Sequence, residues 1–185
     1  MAAELSAKEQ LWLQKCMEAF RNNDFDSLLK CANELEAVSR DPSTALTYRG
    51  IAYYHQRKFG EARKIFYSVY LKKMIGERKQ DDNLLFYLAL CDLYLGKYQA
   101  AVDGLSRLEE KDHKNVDYKI MLYLALQLNG EPVRGNIVLA EALATDRKKT
   151  GEELEEMLLK SLERSQVSPA TKVVLVEIVR RLKSG

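Results

Sequence analysis

The stretch Arg49-Gly-Ile-Ala-Tyr-Tyr-His-Gln-Arg-Lys-Phe-Gly-Glu-Ala62, followed by Phe66 and Val69, decides the fold. Its closing element, Phe59-Gly-Glu-Ala62, is an aromatic residue, two intervening residues and an alanine. The element recurs as Tyr98-Gln-Ala-Ala101, more weakly as Phe25-Asp-Ser-Leu28, and in degenerate form as Pro132-Val-Arg-Gly135. The fourth members, Leu28, Ala62, Ala101 and Gly135, are spaced by 34, 39 and 34 residues. A fixed period of this size marks a supersecondary unit that buries its apolar face by stacking on its neighbours.

Helix start signals recur between these elements. Ser6 with Glu9 reads as a capping box, in which serine accepts from the backbone and glutamate reaches back. Asn22-Asn23-Asp24 breaks that helix and caps a second, which ends near Val38. Asp41-Pro42 opens a third, with proline where a missing N–H does no harm. Further starts fall near Lys58, Asp82, Tyr98, Asn115 and Pro132. Thr150 with Glu153 reads as a second capping box, and Ser168-Pro169 opens a last helix. The spacing predicts ten helices joined by short loops, so consecutive helices lie antiparallel as hairpins.

Composition agrees with an all-α protein. The 185 residues suffice for one domain, and 46% hydrophobic with 30% charged residues is the balance of a folded chain rather than a disordered one. Alternating runs rich in Val, Ile and Thr are absent, so no sheet is predicted. A net charge of +2 argues against a protein that grips nucleic acid by bulk charge. Cys16, Cys31 and Cys91 are odd in number and far apart, and read as small packing residues of a reducing compartment. The N-terminus lacks the basic and apolar regions of a signal peptide, and no apolar run approaches the ~20 residues of a membrane span. A cytoplasmic location is the expectation.

The period of 34 with two helices per unit resembles the tetratricopeptide family. That pattern has a large residue at one position of the first helix, filled here by Trp12, Leu46, Leu85 and Lys119, and a small one four later, filled by Cys16, Gly50, Ala89 and Tyr123. Arg49 and Lys15 stand at a usual leucine position, Asp92 at a usual aromatic and Tyr123 at a usual small residue. The resemblance implies a right-handed helical-hairpin solenoid of repeats at about 8–41, 42–80, 81–114 and 115–149, with a divergent hairpin at 150–183, all in a single domain. The extra five residues between the second and third repeats fall within 72–82 and lengthen the second helix of repeat two or the loop after it.

In that family the first helix of each hairpin lines a concave groove that meets ligands. Carried onto this chain, the ligand-facing positions are Leu13, Met17 and Phe20, then Ile51, Tyr54 and His55. They continue as Phe86, Leu90, Leu93 and Tyr94, and end at Ile120, Leu124 and Leu128. Members that clamp the acidic C-termini of heat-shock proteins carry asparagine where Met17, Ile51, Leu90 and Leu124 stand here, so that clamp is not predicted. The resemblance therefore implies an apolar trough that holds another protein's apolar, helical or extended segment. An adaptor or dedicated chaperone fits, similar in architecture to the small tetratricopeptide chaperones of bacterial type III secretion. A constitutive subunit of a larger assembly is the alternative, and a second copy of the chain or its own last helix would also cover such a trough.

Other chemistry has little to stand on. His55 and His113 lie on different repeats, with no helical pair of metal ligands, and no phosphate-cradling glycine loop is present. No catalytic role and no cofactor are predicted. The segment 57–79 holds eight basic residues against Glu61 and Glu77; it reads as a solvated helix face, with an RNA contact as the rival reading. If the register is right, Ala62 and Ala101 sit where two helices cross. Ala101→Leu should then overpack the crossing and cost ~1–3 kcal/mol, read as a lowered melting temperature.

Overall fold

The computed structural model describes residues 6–76 and 80–163, and beyond them 169, 173, 176, 177 and 180. Nine helices and no strand are found among the described residues: α1 (Ala7–Arg21), α2 (Phe25–Val38), α3 (Ser43–His55), α4 (Phe59–Gly76), α5 (Asp82–Tyr94), α6 (Tyr98–Lys111), α7 (Val116–Leu128), α8 (Pro132–Thr145) and α9 (Arg147–Glu163). The tenth helix predicted from Ser168-Pro169 lies largely outside the described residues. Each start follows from its cap. Ser6 and Glu9 form the reciprocal capping box, and Asp24, Asp81 and Asn115 accept from the first-turn amides of α2, α5 and α7. Pro42 stands at the cap of α3 rather than in its first turn, because Asp41 Oδ1 takes the Ser43 amide at 3.0 Å.

One helix start differs from the predicted one. Thr150 does not cap α9; it lies inside the helix, fully buried, with Oγ1 donating to the carbonyls of Asp146 at 2.6 Å and Ala142 at 3.1 Å. The cap is Asp146, whose Oδ1 accepts from the Lys149 amide at 2.9 Å. A threonine hydroxyl that bonds back to the carbonyl four residues earlier is compatible with helix, so a Thr-x-x-Glu spacing alone does not mark a terminus.

The hairpin turns share one backbone device. Asn23, Arg57, Gly96 and Gly130 have φ of 54°, 62°, 74° and 82°, and their numbers repeat the 34, 39, 34 spacing of the sequence. Where the closing bonds are defined, the residue after the left-handed one donates five back: Asp24 to Ala19, Lys58 to Tyr53 and Glu131 to Leu126, each at 2.9 Å. This is the Schellman ending, which satisfies the last carbonyls of the helix and reverses the chain at once.

The chain forms two compact units, Met1–Leu95 and Gly96–Gly185. In the first, α1 to α5 pack each on the next, and α3 also meets α5. Its core holds Cys16, Leu28, Ala62, Phe66 and Val69. At Gly50 a Cβ would lie 2.6 Å from Cε1 of Phe66, so the ring occupies the space a side chain there would need. In the second unit α6, α7, α8 and α9 pack in sequence, with α9 also on α7, around Ala101, Leu105, Ile120, Leu126 and Leu154. The extra residues of repeat two lengthen its second helix: α4 has 18 residues where α2, α6 and α8 have 14.

The departures from the repeat pattern have local partners. Asp92, buried in place of an aromatic, accepts from Arg63 Nε at 2.5 Å, and Arg49 is paired with Glu36. Tyr123, at a small-residue position, is buried with its ring 3.5 Å from where a Cβ on Gly135 would stand, an ordinary packing distance. Lys119, in the place of a large apolar residue, is buried with Nζ 3.0 Å from Glu109 and 2.9 Å from Glu141. Burial alone would push its ammonium down, but the hydrogen bonds to the two carboxylates hold it above the usual lysine range.

The turns give a paired test. Gly130 has open space where a Cβ would go, so Gly130→Ala isolates the conformational term and should cost about 1 kcal/mol. Arg57→Gly, which removes a side chain from the same conformation, should raise stability by about 0.5–1 kcal/mol in denaturant titrations.

Candidate functional site

The positions predicted to face a ligand in the first unit lie on α1, α3 and α5, and they are not equally open. Met17, Phe20 and Tyr94 are 40%, 39% and 50% exposed, with Leu13 and Phe86 half-buried. Ile51 and Leu90 are buried. Each follows a small residue that is itself buried, Gly50 and Ala89. In the second unit Ile120 and Leu124 are buried too. The predicted stripe is thus an open set on the first unit with core residues between and beyond.

Tyr54 belongs to an aromatic cluster that sequence reasoning did not assemble. Its ring packs edge-on against Tyr87 at 5.4 Å, Phe59 at 5.5 Å and Tyr94 at 6.1 Å. Phe59 stacks on Tyr94 at 4.5 Å, and Phe66 stacks on Tyr87 at 5.0 Å. Burial first, then the neighbouring Tyr94, holds the Tyr54 phenol well above its ordinary range. Rings on α3, α4 and α5 thereby lock two hairpins together and leave the outer side of Tyr94 to solvent. Tyr54, Phe59, Tyr87 and Tyr94 are visible in the sequence, but Tyr87 falls at no predicted ligand-facing position and so is not marked by the repeat pattern.

The histidines are held by neighbours. His55 stacks on Phe25 with centroids 4.0 Å apart and 2° between planes, and His113 Nδ1 lies 2.9 Å from Glu109. Among the described residues no group of His, Cys, Asp and Glu is placed to hold a metal ion, and no helix is long and apolar enough to cross a membrane. Much of the basic segment is paired locally. Arg63 meets Asp92, Lys72 reaches Asp41 at 2.7 Å, Lys73 reaches Asp81 at 2.6 Å, and Lys58 lies over the Tyr53 ring. The Lys72 and Ser43 hydrogen bonds hold the Asp41 carboxyl down to about 2.

Comparison with solved structures follows the same geometry. MamA 41-end from Desulfovibrio magneticus RS-1 superposes with a TM-score of 0.71 at 16% identity, over 98% of this chain and 98% of that one. YrrB, described as a TPR protein with an unusual peptide-binding site, superposes with a TM-score of 0.65 at 13% identity, over 94% of this chain and 85% of that one. The fold is that of the tetratricopeptide repeat. MamA RS-1 ArsTM double mutant gives 0.70 at 16% identity, over 98% and 97% of the two chains. No family profile matches the chain, and no curated relative matches it.

The tetratricopeptide fold places the three thiols in unequal settings. Cys16 and Cys91 are fully buried, and burial pushes each thiol up to about 12. Cys31 is only partly covered, and its thiol is raised less. Since the thiolate is the reacting form, native titration with a chromogenic disulfide should label Cys31 first, with Cys16 and Cys91 following only on denaturation. Rapid labelling of all three would contradict the helical packing.

Proposed function

We propose that this chain is a protein-interaction module, an adaptor or dedicated chaperone, whose first unit holds an apolar segment of a partner protein. Met17, Phe20 and Tyr94 form the contact surface, with Leu13 and Phe86 beside them. Ile51, Tyr54 and Leu90 are the packed floor that fixes the open side chains, and Ile120 and Leu124 play the same structural part in the second unit. The observation that carries the reading is the exposure of three large apolar side chains at the ligand positions of α1 and α5. Folding alone favours polar residues at such places, and a surface of this kind fits the apolar face of a partner helix. YrrB supports the reading as a tetratricopeptide protein with a peptide-binding site. The local pairing of Arg63, Lys72 and Lys73 favours a protein partner over RNA, because those cations already have carboxylates.

Apolar anchors at the centre of an interface each contribute ~2 kcal/mol or more. The double variant Phe20→Ala with Tyr94→Ala should therefore cost ~4 kcal/mol and weaken retention of the partner several-hundredfold. Its helical circular dichroism should match the parent, since both side chains are substantially exposed. A pull-down comparing the two, with quantification of the co-purifying polypeptide, measures this; equal retention would place recognition elsewhere.

A further inference from the structure

Helix α8 carries a second apolar row, on the face turned away from α7. Gly135, Val138, Leu139 and Ala142 are buried. On the opposite side Val133, Ile137, Ala140 and Ala144 are exposed, Val133 by 76% and Ile137 by 57%. Their spacing of 4, 3 and 4 residues is that of a coiled-coil seam, which keeps all four on one line along the helix. None of them holds a ligand-facing position, and the row lies outside the surface assigned to the partner segment.

We propose that this row is a self-association surface, on which α8 of one copy pairs antiparallel with α8 of a second copy about a two-fold axis. Side-chain volume selects that arrangement. With the helices antiparallel and the row centred, Val133 faces Ala144 and Ile137 faces Ala140 of the second copy, so each large residue meets a small one. A parallel pairing would set isoleucine on isoleucine and leave alanines facing each other across a gap. Charge selects it as well. Arg134 and Glu141 flank the row on one side, seven residues apart and both about half exposed. In the antiparallel pair Arg134 of each copy comes beside Glu141 of the other, giving two symmetric ion pairs, whereas a two-fold parallel pair carries these flanks to opposite sides of the seam and makes neither ion pair. The present partners do not oppose this. Arg134 donates to Ser106 Oγ at 3.0 Å and meets Glu131 at 3.3 Å, both exposed contacts that a second copy's carboxylate can replace, and Glu141 is held by Lys119 at 2.9 Å.

The seam spans about three turns, so the pairing is small and its dissociation constant belongs in the micromolar range. Sedimentation velocity on the full chain from about 1 to about 200 µM should show a reversible monomer–dimer equilibrium. Ile137→Arg should weaken it at least tenfold with unchanged circular dichroism. Arg134→Glu should also weaken it, whereas Arg134→Lys, which keeps the charge, should weaken it less. Should Ile137→Arg lose helix, Ala140→Arg on the same row decides in its place. A parent chain that stays monomeric at the highest concentration overturns the proposal, as does a row variant that dimerises like the parent. Dimerisation lost in Ile137→Arg but unchanged in Arg134→Glu also overturns it: the row would then dock on a different surface of the chain.

Discussion

Two helices can bring their backbones together only where a side chain is missing, and the rest of this structure is arranged around that constraint. At Gly50 the missing Cβ makes room for the Phe66 ring, and Ala62 and Ala101 give the same freedom at the opening of α4 and α6. Once the approach is set, the aromatic residues fall into place. Phe66 stacks on Tyr87, which carries the contact from the second hairpin to α5. Interiors of this density tolerate little change in volume, so where the pattern is broken it is broken in pairs. Asp92 has become a carboxylate where Arg63 supplies the cation, and Lys119 has become a cation where Glu109 and Glu141 supply carboxylates.

The repeat was legible because it rests on local rules. The caps at Ser6, Asp24 and Asn115 depend on a few adjacent residues, and the turn residues Asn23, Arg57, Gly96 and Gly130 repeat the interval of the apolar pattern. Thr150 was misread for the same reason: its spacing to Glu153 satisfies the local rule, while its burial against α8 is a tertiary fact. The candidate surface was harder to read. Ligand-facing positions follow from helical phase, which tells that Ile51 and Met17 share a face type but not that one lies beside a glycine crossing and the other does not. Exposure depends on what closes over a residue, and that is set by side chains distant in sequence.

Lys119 shows how far such a pattern can drift while the architecture persists. A buried cation in an apolar position is costly unless carboxylates surround it. Here one comes from α6 and one from α8, so a single side chain ties together three consecutive helices. The same lysine sets the direction of Glu141, and so the charge at the edge of the exposed row of α8.

Within each unit the helices pack chiefly on their neighbours in sequence, and this shapes how the chain reaches its structure as much as the structure itself. Closing short loops carries little entropic penalty, so a hairpin such as α3–α4 can form early and serve as a template for the next. Chains of such low contact order fold on the microsecond-to-millisecond scale, with few long-lived species that expose unpaired apolar surface. Locality also confines damage, since a substitution in one hairpin is felt by the adjoining ones and fades beyond them. The outer surface of each hairpin can therefore diversify almost independently of the others, and a chain built this way can acquire a new contact surface without redesigning its core.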